Sequence, residues 1–218
     1  MGFDGVKNHS VKKSDNGRAA FGAKVDIRRR VFAAIPAPVV FDGFAGSGRM
    51  FEAVWRDAAD YVGCDRKDYS APGKTIFVCD SARLLRAIDL ERFTIFDFDA
   101  YGSPWDHVAI LAARRRVAPG EIIGLVLTDG GALGAKLNSP PRSLLTLSGT
   151  RPGLSGYNRI YADMTTRAIA GAAARMRCEV VKRWQAKGVT GQSMFYSGVV
   201  LRGIPEQAPR RAKRRPSR

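Results

Sequence analysis

The chain is short of metal ligands, acids and long apolar runs. It has two histidines, His9 and His107, and three cysteines, Cys64, Cys79 and Cys178, at no spacing that makes a metal site. No metal is expected, and neither is a disulfide framework. Cys64 and Cys79 fall in apolar, strand-like contexts and read as small buried hydrophobes. No apolar run nears the ~20 residues of a membrane span. The opening stretch, MGFDGVKNHSVKKSDNGRAAFG, lacks the apolar core of a secretory signal. The expectation is a reduced, cytoplasmic protein with no membrane segment.

Acids are outnumbered. Thirty-six Lys and Arg face 20 Asp and Glu, a net charge of +16 over 218 residues. Residues 205–218 hold +5 of this, so +11 remains in the rest. Basic clusters recur inside the chain, at Arg28-Arg29-Arg30, at Arg114-Arg115-Arg116, and at Arg175, Arg177, Lys182 and Arg183. Such an excess predicts a polyanionic partner held through its phosphates.

The length and the 45% hydrophobic content suit one sizeable domain. Residues 1–23 read as a mobile basic arm, 24–204 as the folded domain and 205–218 as a disordered basic tail. A short helix is expected over 24–35, ended by Pro36. Beyond it, apolar strands alternate with helical patterns. Strands are expected near 39–42, 61–64, 75–79, 93–98 and 122–128, with helices over 48–59, 81–91 and 106–117. Residues 129–156 form a long Gly/Ser/Pro loop, 157–177 a long helix, and 179–185 and 193–202 a closing hairpin. The pattern predicts an α/β fold, a mostly parallel sheet with one antiparallel strand at its edge.

The richest stretch is 39–48, Val-Val-Phe-Asp-Gly-Phe-Ala-Gly-Ser-Gly. An apolar strand meets Asp42, a glycine-rich turn follows, and a helix pattern begins. This arrangement brings backbone N–H groups close to a ligand. Asp42 would repel a dinucleotide pyrophosphate, and Phe51 stands where the nicotinamide fingerprint needs its third glycine. A cationic ligand is favoured instead. S-adenosylmethionine (SAM), with its ammonium and sulfonium groups, meets that requirement. Asp42, Gly43, Phe44, Ala45, Gly46 and Gly48 are therefore candidate cofactor-binding residues. The segment resembles motif I of the class I SAM-dependent methyltransferases. That resemblance implies a Rossmann-like, seven-stranded sheet with an antiparallel C-terminal hairpin and helices on both faces.

Ligands of open α/β sheets bind at the carboxyl ends of the strands. Four successive strands end here in acids: Asp42, Asp65, Asp80 and the pair Asp97 and Asp99. The methyltransferase resemblance implies that Asp42 holds the methionine ammonium, Asp65 (with Arg66) the ribose, and Asp80 with Ser81 the adenine edge, and that Asp97 adds to the same site. Asp80 is equally placed to cap the following helix, and Asp65 to close a turn.

Residues 97–105, Asp-Phe-Asp-Ala-Tyr-Gly-Ser-Pro-Trp, are the most specific segment. They resemble the D-x-D-P-[FY]-G-S-P motif of the tRNA guanine-N2 dimethyltransferase family and, more loosely, the [DNS]-P-P-[YFW] motif of base amino-methyltransferases. An exocyclic base amine is a weak nucleophile, because its lone pair is delocalised into the ring. Asp99 and the Ala100 carbonyl could accept its N–H bonds and stabilise charge developing on nitrogen. Tyr101 could stack on a splayed-out base. Gly102, Ser103, Pro104 and Trp105 are the accompanying substrate-binding candidates. Ala100 departs from the family, which has proline there.

The likeness continues through Thr128-Asp129, with Asp129 a further substrate-binding candidate, and through the helical pair Asp163 and Arg167, read as structural. It spans about residues 36–180. It implies an enzyme that uses SAM to methylate a base amine, in RNA before DNA, with guanine N2 as the leading atom. Residues 129–156 and the basic arm are the expected target-recognition elements. A DNA adenine-N6 or cytosine-N4 methyltransferase, a nucleic-acid-binding module without catalysis, a nicotinamide oxidoreductase and a small-molecule or protein-amine methyltransferase, which would not need a charge of +16, are the rivals.

Overall fold

The computed structural model describes residues 18–70, 72, 74–187 and 194–205. Its seven strands are β1 (Val39–Asp42), β2 (Asp60–Asp65), β3 (Thr75–Val78), β4 (Ile95–Phe98), β5 (Ile122–Asp129), β6 (Cys178–Lys187) and β7 (Phe195–Gly203). The helices are α1 (Arg18–Phe32), α2 (Arg49–Ala53), α3 (Ser81–Ala87), α4 (Trp105–Arg114), α5 (Ala132–Lys136), α6 (Arg142–Ser148) and α7 (Tyr157–Arg175). One sheet takes the order β3-β2-β1-β4-β5-β7-β6. The first five strands pair in parallel, and β7 runs antiparallel to both β5 and β6. The order reverses at β1, so β1 and β4 flank the crevice where such sheets bind ligands.

Side chains alternate across each strand and so divide the core in two. On β4, Phe96 and Phe98 join the larger cluster, packed with Leu85 of α3, Val108 and Leu111 of α4, Leu147 of α6 and Met164 of α7. Ile95 points the other way, toward Ile27 and Val31 of α1 and Phe51 of α2. Asp97 shares that second face. α1 sits so close to β7 that a Cβ on Gly198 would lie 2.8 Å from Val31 Cγ2.

Several boundaries depart from expectation. α1 begins at Arg18, so 18–23 belong to the domain and not to an arm. The helix foreseen over 48–59 is one short turn, α2, and a 3-10 turn at Trp55–Asp57. Residues 129–156 are not one loop, since they contain α5 and α6. The antiparallel strand is not at the sheet edge. β7 slots between β5 and β6, and β6 forms the edge. The rest of the expected arm and nearly all of the expected tail (1–17 and 206–218) lie outside the described residues.

Candidate active site

The carboxyl ends of β1, β2, β3 and β4 surround a crevice with two lobes that share Phe44 as a wall. The larger lobe is a cavity of about 350 Å³ between Asp65 and Asp80, bordered by Gly43, Ser81, Tyr101 and His107. The smaller, of about 140 Å³, lies between the glycine turn and α1, bordered by Phe21, Lys24, Ser47, Arg49 and Asp99. Gly46 and Gly48 hold positive φ angles of 50° and 87°, a backbone that glycine adopts without penalty.

The acids differ in how they are held. Asp65 lines the larger lobe while its Oδ2 accepts the Gly46 amide at 3.0 Å and its Oδ1 the Lys67 amide at 3.1 Å. Asp80 does two jobs. Its Oδ1 accepts the Arg83 amide at 3.1 Å, capping α3, and its Oδ2 meets Arg66 at 3.1 Å across the cavity rim. The Arg66 guanidinium, followed by the capping amide, lowers its pKa. Both the capping and the rim positions expected of Asp80 thus occur together.

Asp42 and Asp97 face inward. Asp42 is buried beneath the turn, its Oδ1 accepting the Phe44 amide at 3.0 Å and its Oδ2 the Tyr61 hydroxyl at 2.9 Å. Burial first, then the neighbouring Asp97 charge, pushes its pKa up to about 8. Asp97 is fully buried. Arg28 donates to it through Nε at 2.7 Å and through Nη2 at 2.8 Å, and Trp55 Nε1 donates at 3.1 Å. Both acids were expected to meet the cofactor. In the structure both carboxylates are engaged by protein donors, Asp42 beneath the turn and Asp97 against α1.

Asp99 lies one step further along, past the end of β4, and its carboxylate borders the smaller lobe. Lys24 Nζ donates to Asp99 Oδ1 at 2.8 Å and to Oδ2 at 3.1 Å, and Arg28 stands 3.4 Å away. Burial opposes its ionisation, yet the Arg28 and Lys24 charges prevail and hold its pKa below the usual carboxylate range. Ala100 is buried beside it, while Tyr101 is wholly exposed and touches the larger lobe.

Trp105 and Asp129, expected to touch substrate, are also internal. Trp105 Nε1 donates to Asp129 Oδ2 at 2.9 Å, and the Tyr161 hydroxyl lies 2.8 Å from the same oxygen. The Gly131 amide takes Asp129 Oδ1 at 2.8 Å. Burial raises the Asp129 pKa. This cluster ties α4, β5 and α7 together behind the loop 99–104. The Gly130 amide donating to the Gly102 carbonyl at 2.5 Å adds a backbone tie. Gly102 and Ser103 stay at the surface, and Pro104 is buried at the head of α4. Asp163 and Arg167 form an exposed pair at 2.9 Å on α7.

Six residues of the crevice carry no motif: Phe21, Lys24, Arg49, Met50, Cys79 and His107. Lys24 and Arg28 stand four apart on one face of α1, which is the only signal the sequence offers for them. His107 Nε2 lies 2.8 Å from Ser81 Oγ, and its ring packs against Phe44 with centroids 4.9 Å apart. Burial lowers the His107 pKa. Two basic clusters are partly consumed inside the fold. Arg28 is held by Asp97, and the buried Arg115 pairs with Glu91 and Glu121. Neither is available to a phosphate.

Among the described residues, no group of three or more His, Cys, Asp or Glu side chains could hold a metal ion. No described helix is long and apolar enough to cross a membrane. The sequence matches no family model and no curated protein. Solved structures do resemble it. Trm1 from Pyrococcus horikoshii, in complex with S-adenosyl-L-methionine, superposes with a TM-score of 0.54 at 16% identity over 86% of this chain. This chain spans 56% of the length of that protein. The N-methyltransferase NodS from Bradyrhizobium japonicum WM9, in complex with S-adenosyl-L-homocysteine, also gives 0.54, at 12% identity over 92% of this chain and 94% of NodS. The chain has the Rossmann-like fold that these proteins share.

Proposed function

We propose that this chain is a SAM-dependent methyltransferase that modifies an exocyclic amine of a nucleic-acid base, with RNA as the substrate and guanine N2 as the leading atom. The observation that carries the reading is Asp99. Its carboxylate borders the smaller lobe of the crevice, two residues before the exposed Tyr101, which borders the larger lobe.

The crevice fits the cofactor. Asp65, Asp80 and Ser81 line the larger lobe, and in this reading the two carboxylates accept hydrogen bonds from ribose hydroxyls and an adenine amine. The smaller lobe offers the glycine turn, Ser47, and the cations Lys24 and Arg49 for a carboxylate. The rim is not the uniformly negative surface that four strand-end acids imply. Lys24, Arg28 and Arg66 offset much of that charge, so recognition rests on directed hydrogen bonds as much as on net attraction. Bound SAM supplies an electrophilic methyl group on sulfur.

The residues of this chain do the rest. Asp99 and the Ala100 carbonyl accept the amine's N–H bonds and favour its nucleophilic, pyramidal form. The carboxylate then stabilises positive charge developing on nitrogen. Tyr101 stacks on the extruded base, a contact worth about 1–3 kcal/mol. Trp105, Asp129 and Tyr161 hold the loop so that the acceptor is positioned and not merely bound. The basic surface, including the exposed Arg142, Arg151 and Arg159 of the segment beyond β5, supplies phosphate contacts. The likeness of sequence segments 39–48 and 97–105 to methyltransferase motifs supports the same reading, as do the cofactors in the Trm1 and NodS structures.

The test is nucleoside mass spectrometry of total RNA and of DNA after incubation with the protein and isotopically labelled SAM. N2-methylguanosine carrying the label is the expected product. Label in N6-methyladenine or N4-methylcytosine of DNA would reassign the substrate. No label in any nucleoside, with SAM bound, would refute the base-methylation reading.

A further inference from the structure

Cys64 and Cys79 stand on neighbouring strand ends, with their sulfur atoms 3.6 Å apart. Cys64 lies fully buried on β2, and its thiol donates to the Cys79 carbonyl at 3.3 Å. Cys79 is half-buried, follows β3 and lines the larger lobe of the crevice beside Asp80. The Cys79 amide donates both to the Asp65 carbonyl at 2.9 Å and to the Phe77 carbonyl at 3.1 Å. That tight turn curls the chain end toward β2. The third cysteine, Cys178, is buried, and its thiol faces the Met176 carbonyl at 3.6 Å with no second sulfur beside it.

We propose that Cys64 and Cys79 form an oxidisable dithiol in the wall of the nucleoside lobe, which closes to an intramolecular disulfide under peroxide and thereby weakens cofactor binding. The last step rests on the SAM reading above, and the dithiol does not. The order of attack follows from access. Cys79, open to the cavity, attacks the peroxide as thiolate. One sulfur–oxygen bond forms, the oxygen–oxygen bond breaks and one water leaves. Cys64 then attacks the sulfenic sulfur of Cys79, the sulfur–sulfur bond forms and the second water leaves. Two thiols lose two electrons and two protons, and one peroxide becomes two waters. Cys64 takes the resolving role because it is buried away from peroxide and stands 3.6 Å from the Cys79 sulfur.

Closure draws the sulfurs from 3.6 Å to about 2.05 Å. Cys79 carries most of the movement, since Cys64 is fixed within the sheet. The displaced segment leads directly into Asp80 and Ser81, so the lobe between Asp65 and Asp80 changes shape. By linkage, a ligand filling the reduced lobe resists oxidation by the same factor as oxidation weakens the ligand.

The experiment treats the full chain with hydrogen peroxide and maps thiols by mass spectrometry without reduction. The expected result is loss of two hydrogens, a cross-linked pair of peptides carrying Cys64 and Cys79, a free Cys178, and reversal by dithiothreitol. Cys79→Ser removes the cross-link. Calorimetry with S-adenosylhomocysteine, which cannot react, then compares reduced and oxidised protein, and about tenfold weaker binding is expected after oxidation. Alkylatable Cys64 after Cys79 has been oxidised to sulfinic acid would overturn the dithiol. A complete disulfide with unchanged ligand affinity would overturn its coupling to the cavity. Failure of the reduced protein to bind the ligand at all would count against the SAM reading, and the cross-link result would stand apart from it.

Discussion

Lys24 Nζ lies 2.8 Å from Asp99 Oδ1 and 3.1 Å from Oδ2, so a helix from the start of the domain reaches the acid proposed to handle the acceptor amine. With Arg28 nearby, the contact keeps Asp99 ionised at pH values where an isolated buried carboxyl would be neutral. Lys24→Met should let the Asp99 pKa climb. The acid limb of the pH–rate profile should move to higher pH, which methyl transfer to total RNA measured from pH 4 to pH 8 will read. An unmoved limb would separate Lys24 from the protonation of Asp99.

Asp99→Ala should lower methyl transfer by about 10²-fold or more, the scale of losing one electrostatic partner of a transition state. The dissociation constant of S-adenosylhomocysteine should change by less than about threefold, under 1 kcal/mol. Parallel loss of both would place Asp99 in the cofactor site.

Tyr101 has no buried surface to lose. Tyr101→Ala should therefore leave the melting temperature unchanged and raise KM for RNA by about tenfold or more, the equivalent of one base stack. A fall in kcat at constant KM would point instead to a role in orienting the amine.

Asp42 makes stability depend on pH. Its pKa rises from 3.8 to about 8 in the fold, so between those values the native state holds a proton that the unfolded chain has released. Stability from this group is present at low pH and is lost as pH rises toward 8. Asp42→Asn should flatten that decline, whose slope is bounded by about 1.4 kcal/mol per pH unit. Urea unfolding at pH 5, 6, 7 and 8 checks it.

Much of this architecture is legible in the sequence because it rests on local pattern. Val39–Phe41 is an apolar run of strand length that ends at Asp42, and Ile95–Phe98 is apolar but for Asp97, with Asp99 just past its end. The turn at Gly46 and Gly48 needs a backbone that few residues other than glycine adopt. What escapes is long-range partnership. Asp97 and Asp99 are two apart in one motif and look alike, and strand alternation keeps them on one face, but Asp97 lies inside β4 against Arg28 and Trp55 while Asp99, past the end of the strand, meets Lys24 at the cleft. Nothing in the run Arg28-Arg29-Arg30 marks the first as buried and the next two as exposed. That division follows from which face of α1 meets the sheet. Trp105 and Asp129 read as surface groups because their motif is a surface motif, whereas Tyr161, more than thirty residues onward, draws Asp129 into the interior.

The anchoring of α1 has a practical consequence. Phe21 and Lys24 form part of the crevice wall, and the helix runs from there down to Val31 beneath the sheet. The amino-terminal half of α1 therefore stands beside the crevice. A purification handle inserted at the start of that helix would crowd the entrance, whereas at Cys178, where β6 begins on the far rim of the sheet, an epitope inserted just ahead of the strand would keep its distance from it.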